Sequence, residues 1–193
     1  MKKFNYPNFT PNYGNLTMII MKEFILSYYH EDTLNNNEIT SLIASNDTTK
    51  PLYFWQLYSI LGEEYIENLI RLFYTNLFND QKNKWFSEEF IDIGSIEYHV
   101  KGQKKFWLDI MGGGENYSGG EKKLYNYHKL VENIMTEEGA RLWMFHMNNA
   151  LDEMSYENDK RVRKCIDVFL KHFMIKYAVE FDFNFYNIFK SKL

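Results

Sequence analysis

Two polar residues are spaced so that a helix would hold them together on an otherwise apolar face. His99 and Gln103 are four residues apart, so a helix would place them one turn above each other, with Phe106 and Ile110 continuing the same face. A largely apolar face with two hydrogen-bonding groups suits a dry pocket that contacts a small polar ligand. The more common origin of such a face is an ordinary apolar stripe with polar residues at its wet edge.

Three further residues carry groups that could do chemistry. His128 follows a glycine-rich segment, and a neutral imidazole is a good ligand for iron. Tyr74 and Trp143 offer an O–H and an N–H donor on apolar helical faces. Taken singly, a lone histidine is seldom a metal ligand, and a buried tyrosine or tryptophan is usually part of a core. Each residue by itself therefore leaves both interpretations open.

The elements that must position these residues are helices. Apolar residues recur at helical spacing from residue 52 onward, Gly62 interrupts the pattern, and a segment at 112–120 holds five of the ten glycines and is predicted to be irregular. Residues 80–92 are predicted to form a loop or a single tight turn. The predicted helices span 16–29, 52–60, 63–79, 95–111, 136–154 and 158–180, with at most a weak helix at 37–44.

Composition divides the chain into three parts. Residues 1–50 are predicted to be an N-terminal extension with one short helix, because much of that stretch is polar. Pro51 marks the start of the main domain, since proline is well tolerated in a first helical turn. The main domain is predicted to span 51–181 and a C-terminal tail 182–193.

Taken in order, three of these segments resemble the truncated haemoglobins. They are FYTNLF at 73–78, HVKGQKKFWLDIMGGGENYSG at 99–119 and ARLWMFHMNNAL at 140–151. The resemblance is closest to the branch with a distal histidine and a helix tryptophan, which is group III-like or group II-like. It implies an all-α, globin-like fold, a truncated two-on-two helical sandwich preceded by the N-terminal extension.

The same resemblance assigns roles to residues. His128 matches the proximal histidine that holds the iron of haem b. Tyr74, His99, Gln103 and Trp143 match the distal pocket, where a gas molecule is bound. The positions expected to contact the porphyrin are Phe86, Phe106, Tyr117 and Met147.

The function that follows is binding of dioxygen, nitric oxide or another diatomic gas, with redox chemistry favoured over bulk transport. Nitric oxide dioxygenase and peroxidase-like activities are the candidates, and both would need a reductase as partner. Two alternatives stay open: a haem-based gas sensor that uses the extension as its output element, and a haem-free interaction protein with the globin fold.

The net charge and the length of the apolar segments argue against two further classes of protein, those that bind nucleic acid and those that span a membrane. A net charge of −4 argues against nucleic acid as a partner. The apolar segment 18–26 is interrupted by Lys22 and Glu23 and is shorter than the roughly 20 residues that span a bilayer, and no signal peptide is predicted. A single cysteine, Cys165, favours a reducing compartment, so we expect a cytoplasmic protein. The oligomeric state is left open.

Overall fold

The computed structural model describes residues 9–117 and 132–188, and these residues fold into helices. An isolated bridge between Asn12 and Gly113 is their only strand-like pairing. The helices are α1 (Asn15–Tyr28), α2 (Asn37–Thr40), α3 (Tyr58–Phe78), α4 (Lys84–Ile93), α5 (Ile96–Ile110), α6 (Glu137–Glu153), α7 (Arg161–Glu180) and α8 (Phe185–Ile188), with short 3-10 turns at Glu31–Asn35 and Phe54–Gln56. Within this part of the chain, no helix combines the length and apolarity that crossing a membrane requires.

Helix α3 is the centre of the domain. It packs against α5 on one side and α6 on the other, and α6 also contacts α7. The face predicted from its spacing is buried, since Ile66, Leu69, Ile70, Phe73 and Leu77 are each at most 2% exposed. Its contact with α5 brings together the helices predicted at 63–79 and 95–111.

The predicted break at Gly62 is a sharp interruption near the start of α3. Gly62 adopts φ 68°, ψ 177°, a conformation that side chains strongly disfavour. The ring of Phe9 fills the space beside it, because a Cβ built on Gly62 would lie 2.4 Å from the ring. The glycine thus lets the N-terminal arm cross close over the helix.

The expectation of a loop at 80–92 is wrong, because residues 84–93 form helix α4. Phe86 and Phe90, four residues apart, are both buried against the core. The Asp80 carboxylate accepts hydrogen bonds from the backbone N–H groups of Lys82 (2.9 Å) and Asn83 (3.0 Å), which orders the chain entering the helix. Phe86, Phe90 and Ile93 recur at helical spacing, so the apolar face of this helix is present in the sequence.

The N-terminal extension is packed onto the domain rather than separate from it, and it holds two helices and a 3-10 turn rather than one short helix. Trp55 is buried between the two parts and donates its indole N–H to the carbonyl of Ile39 (2.8 Å). Arg161, at the start of α7, donates to the carbonyls of Ser45, Asp47 and Lys50 (2.9–3.0 Å). The same guanidinium pairs with Asp159, which is 3% exposed.

Candidate functional site

A cavity of about 360 Å³ lies among helices α3, α4, α5, α6 and α7. Its walls are mainly aromatic, and polar groups are confined to a few positions, a composition typical of small-molecule and cofactor sites. Six of the eight predicted pocket residues outside the 118–131 segment lie in its wall. They are Tyr74, His99, Gln103, Phe106, Tyr117 and Trp143.

His99 is the most constrained polar group of the cavity. It is 2% exposed, and its Nε2 lies 2.8 Å from the carbonyl oxygen of Phe90. Because a carbonyl can only accept, the proton of the neutral ring must be on Nε2, and Nδ1 carries a lone pair. Nδ1 is buried and has no hydrogen-bond partner within the described residues. Burial lowers the pKa of His99 below its usual range, although the Phe90 and Gly94 carbonyls act against it. His99 is thus a neutral ring in the cavity wall, and its Nδ1 can only accept a hydrogen bond.

Tyr74 lies directly against this histidine. Its ring stacks on that of His99 with centroids 4.9 Å apart and an interplanar angle of 23°, and the side chain is 1% exposed. Trp143, on α6, is half-buried and contacts Phe73 with ring centroids 5.1 Å apart. Gln103 is also half-buried and lies one turn along α5 from His99. Three different helices therefore bring hydrogen-bonding groups to one cavity.

Phe106 and Tyr117 form the opposite end of the wall. Their rings meet edge to face at 5.7 Å, and Phe106 makes a second edge contact with Phe173 of α7 at 6.0 Å. Tyr117 is 7% exposed. Edge-to-face packing of this kind fixes ring orientation, and with it the width of the cavity.

Phe86 and Met147 are placed differently from the other predicted residues. Both are at most 1% exposed, and neither lines the cavity. Phe86 packs behind it, with its ring 5.2 Å from that of Phe90, which does line it. The Phe86 ring is also stacked 6.3 Å from His146, whose Nε2 is 3.0 Å from Asp80 Oδ2. Phe86 and Met147 therefore pack in the core and are not part of the cavity wall.

The mouth of the cavity is basic. Lys101 and Lys105 line it together with Tyr98 and Gly102. Lys104, between them, faces away and pairs with Glu63 and Glu67 at 2.8 Å each. Within the described ranges, no carboxylate pairs with Lys101 or Lys105. Two ammonium groups are therefore available at the opening.

Sequence reasoning missed most of the wall that α7 supplies. The residues are Phe169, Phe173, Tyr177 and, just beyond the helix, Phe181. Their spacing of four residues places them on one face, and this periodicity was readable, but it indicates burial against a core as well as it indicates a cavity. The predicted metal ligand, His128, lies outside the described residues.

Comparison with known proteins decides the family. The profile of the bacterial-like globins matches residues 56–175, which include α3 to α6 and most of α7. The chain belongs to the bacterial-like globins. It is 30% identical over 110 residues to the two-on-two hemoglobin-3 of Arabidopsis thaliana. That match covers 55% of this chain and 61% of the relative, so the chain spans less than two thirds of the relative's length. No solved structure matches.

Membership of the truncated haemoglobins confirms the family resemblance and the all-α globin fold. Globins as a family bind haem and, at its iron, small diatomic gases. The residues of the cavity suit such a group. Aromatic rings line its interior, the buried Nδ1 of His99 lacks a partner there, and two lysines at the mouth suit the carboxylates of a porphyrin.

Proposed function

We propose that this globin binds haem b through His128 and holds dioxygen or nitric oxide for redox chemistry rather than bulk transport. Haem iron supplies reversible binding of diatomic gases and one-electron chemistry. The observation that carries the proposal is the meeting of Tyr74, Trp143 and Gln103 around a buried, neutral His99 in one aromatic cavity. A pocket for simple gas exchange needs fewer hydrogen-bonding groups.

The side chains divide into donors and an acceptor. Tyr74 can donate its O–H and Trp143 its N–H to a gas molecule that carries partial negative charge, whereas His99 has its only ring proton on the nitrogen bound to Phe90. In a dry site each donated hydrogen bond contributes on the order of 1–3 kcal/mol. Two donors would therefore slow gas release strongly, since about 1.4 kcal/mol corresponds to a factor of ten.

The basic mouth orients the cofactor in this proposal. The ammonium groups of Lys101 and Lys105 would pair with the propionate carboxylates, and the aromatic wall from α5 and α7 would cover the porphyrin faces and exclude water. The six wall residues, with His128, make up the proposed site. Phe86 and Met147 would act as packing behind it.

Slow release favours a reaction of the held gas. Oxidation of nitric oxide by dioxygen to nitrate takes up one electron, and a peroxidase-like reduction also consumes electrons, so both require an unidentified reductase. We propose the cytoplasm as the compartment. Cys165 is free, is 8% exposed, and has a pKa raised by burial, as expected for an inert thiol in a reducing environment.

An optical spectrum tests the proposal directly. Protein produced with a haem supply should show a Soret band, and His128→Ala should lose it or shift it to the spectrum of a haem without that axial ligand. His30→Ala is the matched control, because His30 is exposed and precedes a 3-10 turn of the extension. A purified protein that never takes up haem would leave the haem-free interaction protein as the function. An unchanged spectrum in His128→Ala would remove His128 as the ligand.

The sensor alternative would require the extension to respond to the cavity. Residues 9–50 are packed against α5 and α7, so the extension does contact the helices that form the cavity wall. Removal of 1–50 that leaves the haem spectrum intact but abolishes binding of a partner would favour that alternative.

A further inference from the structure

The start of α1 and the end of α5 meet at a buried carboxylate. Gly14 caps α1 but has no side chain to accept the free N–H groups of the first turn. Asp109 supplies that acceptor from α5, since its Oδ1 accepts from the backbone N–H of Thr17 (3.2 Å). The Thr17 hydroxyl donates to the Asp109 carbonyl. A Cβ on Gly14 would lie 2.1 Å from Asp109 Oδ1, so only glycine admits the carboxylate.

The second oxygen of the same carboxylate holds the segment that follows α5. Asp109 Oδ2 accepts from the backbone N–H of Tyr117, with a long N···O distance of 3.4 Å. Between these two residues the chain turns through Gly112 and Gly114, at φ 91° and 92°. Asn12 of the N-terminal arm donates to the Gly112 carbonyl (2.9 Å). Asp109 itself is completely buried.

Tyr117 connects this junction to the cavity. Its backbone is bound by Asp109, while its ring lines the cavity and packs on Phe106. The path of the intervening segment is fixed by several contacts, among them the Asn116 side chain, which donates to the Gly113 and Gly114 carbonyls (3.0 Å each). Asp109 and the N-terminal arm are the contacts that join this segment to the extension.

We propose that Thr17 and Asp109 are positioning residues through which the N-terminal extension sets the position of Tyr117 in the haem cavity. The inference rests on the proposed function, because the cavity is taken as the haem site. The extension is then part of the binding site rather than an appended segment. The connection is the Asp109 carboxylate, which accepts hydrogen bonds both from the first turn of α1 and from the segment after α5.

The experiment uses full-length, haem-loaded protein and two measurements. Hydrogen exchange of the Tyr117 amide reports its bond to Asp109, and transfer of ferric haem to an excess of apomyoglobin reports retention by the cavity. Thr17→Val removes the hydroxyl, Asp109→Asn places an amide N–H against one of the two backbone N–H groups that the carboxylate accepts from, and Thr17→Ser restores the hydroxyl. Trp55→Phe is the control for stability, because it removes a buried hydrogen bond in the extension away from the cavity.

Thr17→Val and Asp109→Asn should each speed both exchange and haem loss about tenfold, the effect of losing roughly 1.4 kcal/mol of buried hydrogen bonding. Thr17→Ser should restore both rates. In a Tyr117→Leu background, Thr17→Val should no longer speed haem loss, because the extension acts through that ring. Trp55→Phe should lower the free energy of unfolding without this pattern.

Several outcomes overturn the inference. Haem loss that is unchanged in both single variants, or an effect of Thr17→Val that adds in full to that of Tyr117→Leu, would show that the junction does not act on the cavity. The same conclusion follows if Trp55→Phe speeds haem loss as much as Thr17→Val at an equal loss of stability. These results leave the proposed function standing, whereas a wild-type protein without haem would overturn both.

Discussion

The position of the ring proton of His99 indicates which cavity side chains can donate a hydrogen bond to a gas molecule. The ring donates through Nε2 to the Phe90 carbonyl at 2.8 Å, and Nδ1 has a lone pair with no partner in the described structure. Burial keeps the ring neutral by lowering its pKa. At pH 7.5 His99 therefore has no proton to offer a ligand. Tyr74, stacked against it, does have one.

Two phenylalanine substitutions separate these roles. Tyr74→Phe removes a donor at nearly constant ring volume, and a hydrogen bond to a partially charged acceptor in a dry site contributes about 1.5–3 kcal/mol, so dioxygen should dissociate roughly 10 to 150 times faster. His99→Phe removes the donor to the Phe90 carbonyl but no donor to the gas molecule. The Phe90 carbonyl keeps its bond from the Gly94 N–H (3.2 Å), so the cost to folding stability should stay near 0.5–1.5 kcal/mol. Loss of the unpartnered Nδ1 offsets part of that cost.

Stopped-flow displacement of dioxygen by carbon monoxide measures the dissociation rates. Tyr186→Phe is the matched control, because its side chain is 70% exposed and does not line the cavity. The expected order is a fast Tyr74→Phe variant and a His99→Phe variant close to wild type. If His99→Phe accelerates release as much as Tyr74→Phe, His99 is a donor and the assignment of its proton is wrong. An unchanged rate in Tyr74→Phe would remove Tyr74 from ligand binding.

Three further predictions concern stability and haem retention. Burial lowers the pKa of His146 and His172 more than their acidic neighbours raise it, so the unfolded chain takes up protons first as the pH falls below about 6.5. The free energy of unfolding, measured by urea unfolding between pH 8 and 5, should then fall by up to about 1.4 kcal/mol per pH unit for each histidine. A rise over this range would show that the sign is wrong, and a flat profile that neither pKa is shifted. Arg161→Leu leaves Asp159 buried without its guanidinium partner and should lower the free energy of unfolding by about 3 kcal/mol. Calorimetry should then show a Tm lower by roughly 6–12 °C. A loss of stability below about 1 kcal/mol would contradict this account. Replacing both mouth lysines with alanine should speed haem loss about fivefold at low salt and less at high salt, and a rate insensitive to salt would exclude pairing with the propionates.

Helical periodicity was enough to predict most of the fold. The helices at 63–79, 95–111, 136–154 and 158–180 are observed within a few residues, because each buries an apolar face. Helix α4 was not predicted, although Phe86, Phe90 and Ile93 recur at helical spacing. Periodicity alone could not decide whether the extension docks on the domain. Its anchors are single polar contacts between residues far apart in sequence, such as Trp55 with Ile39 and Arg161 with Ser45.

The sequence predicted which residues line the cavity better than it predicted their packing and protonation. Spacing on α5 brought His99, Gln103 and Phe106 together, and resemblance to the family added Tyr74 and Trp143. Periodicity could not separate Met147, which packs in the core, from Trp143, which faces the cavity, because both lie on buried parts of α6. The branch of the family and the domain boundaries stay predictions.

Only the fold shows which ring nitrogen of His99 carries the proton, and therefore whether His99 is a donor or an acceptor in the cavity. The carbonyl that accepts the hydrogen bond from His99 Nε2 belongs to Phe90, near the end of helix α4, which was not predicted from the sequence. Without α4, either ring nitrogen of His99 could carry the proton, and the residue would count as one more donor. With α4 in place, His99 is an acceptor, and donation to the gas falls to side chains on α3 and α6. A short helix that supplies only Phe90 to the cavity wall thus decides which groups of the site can donate to a gas molecule.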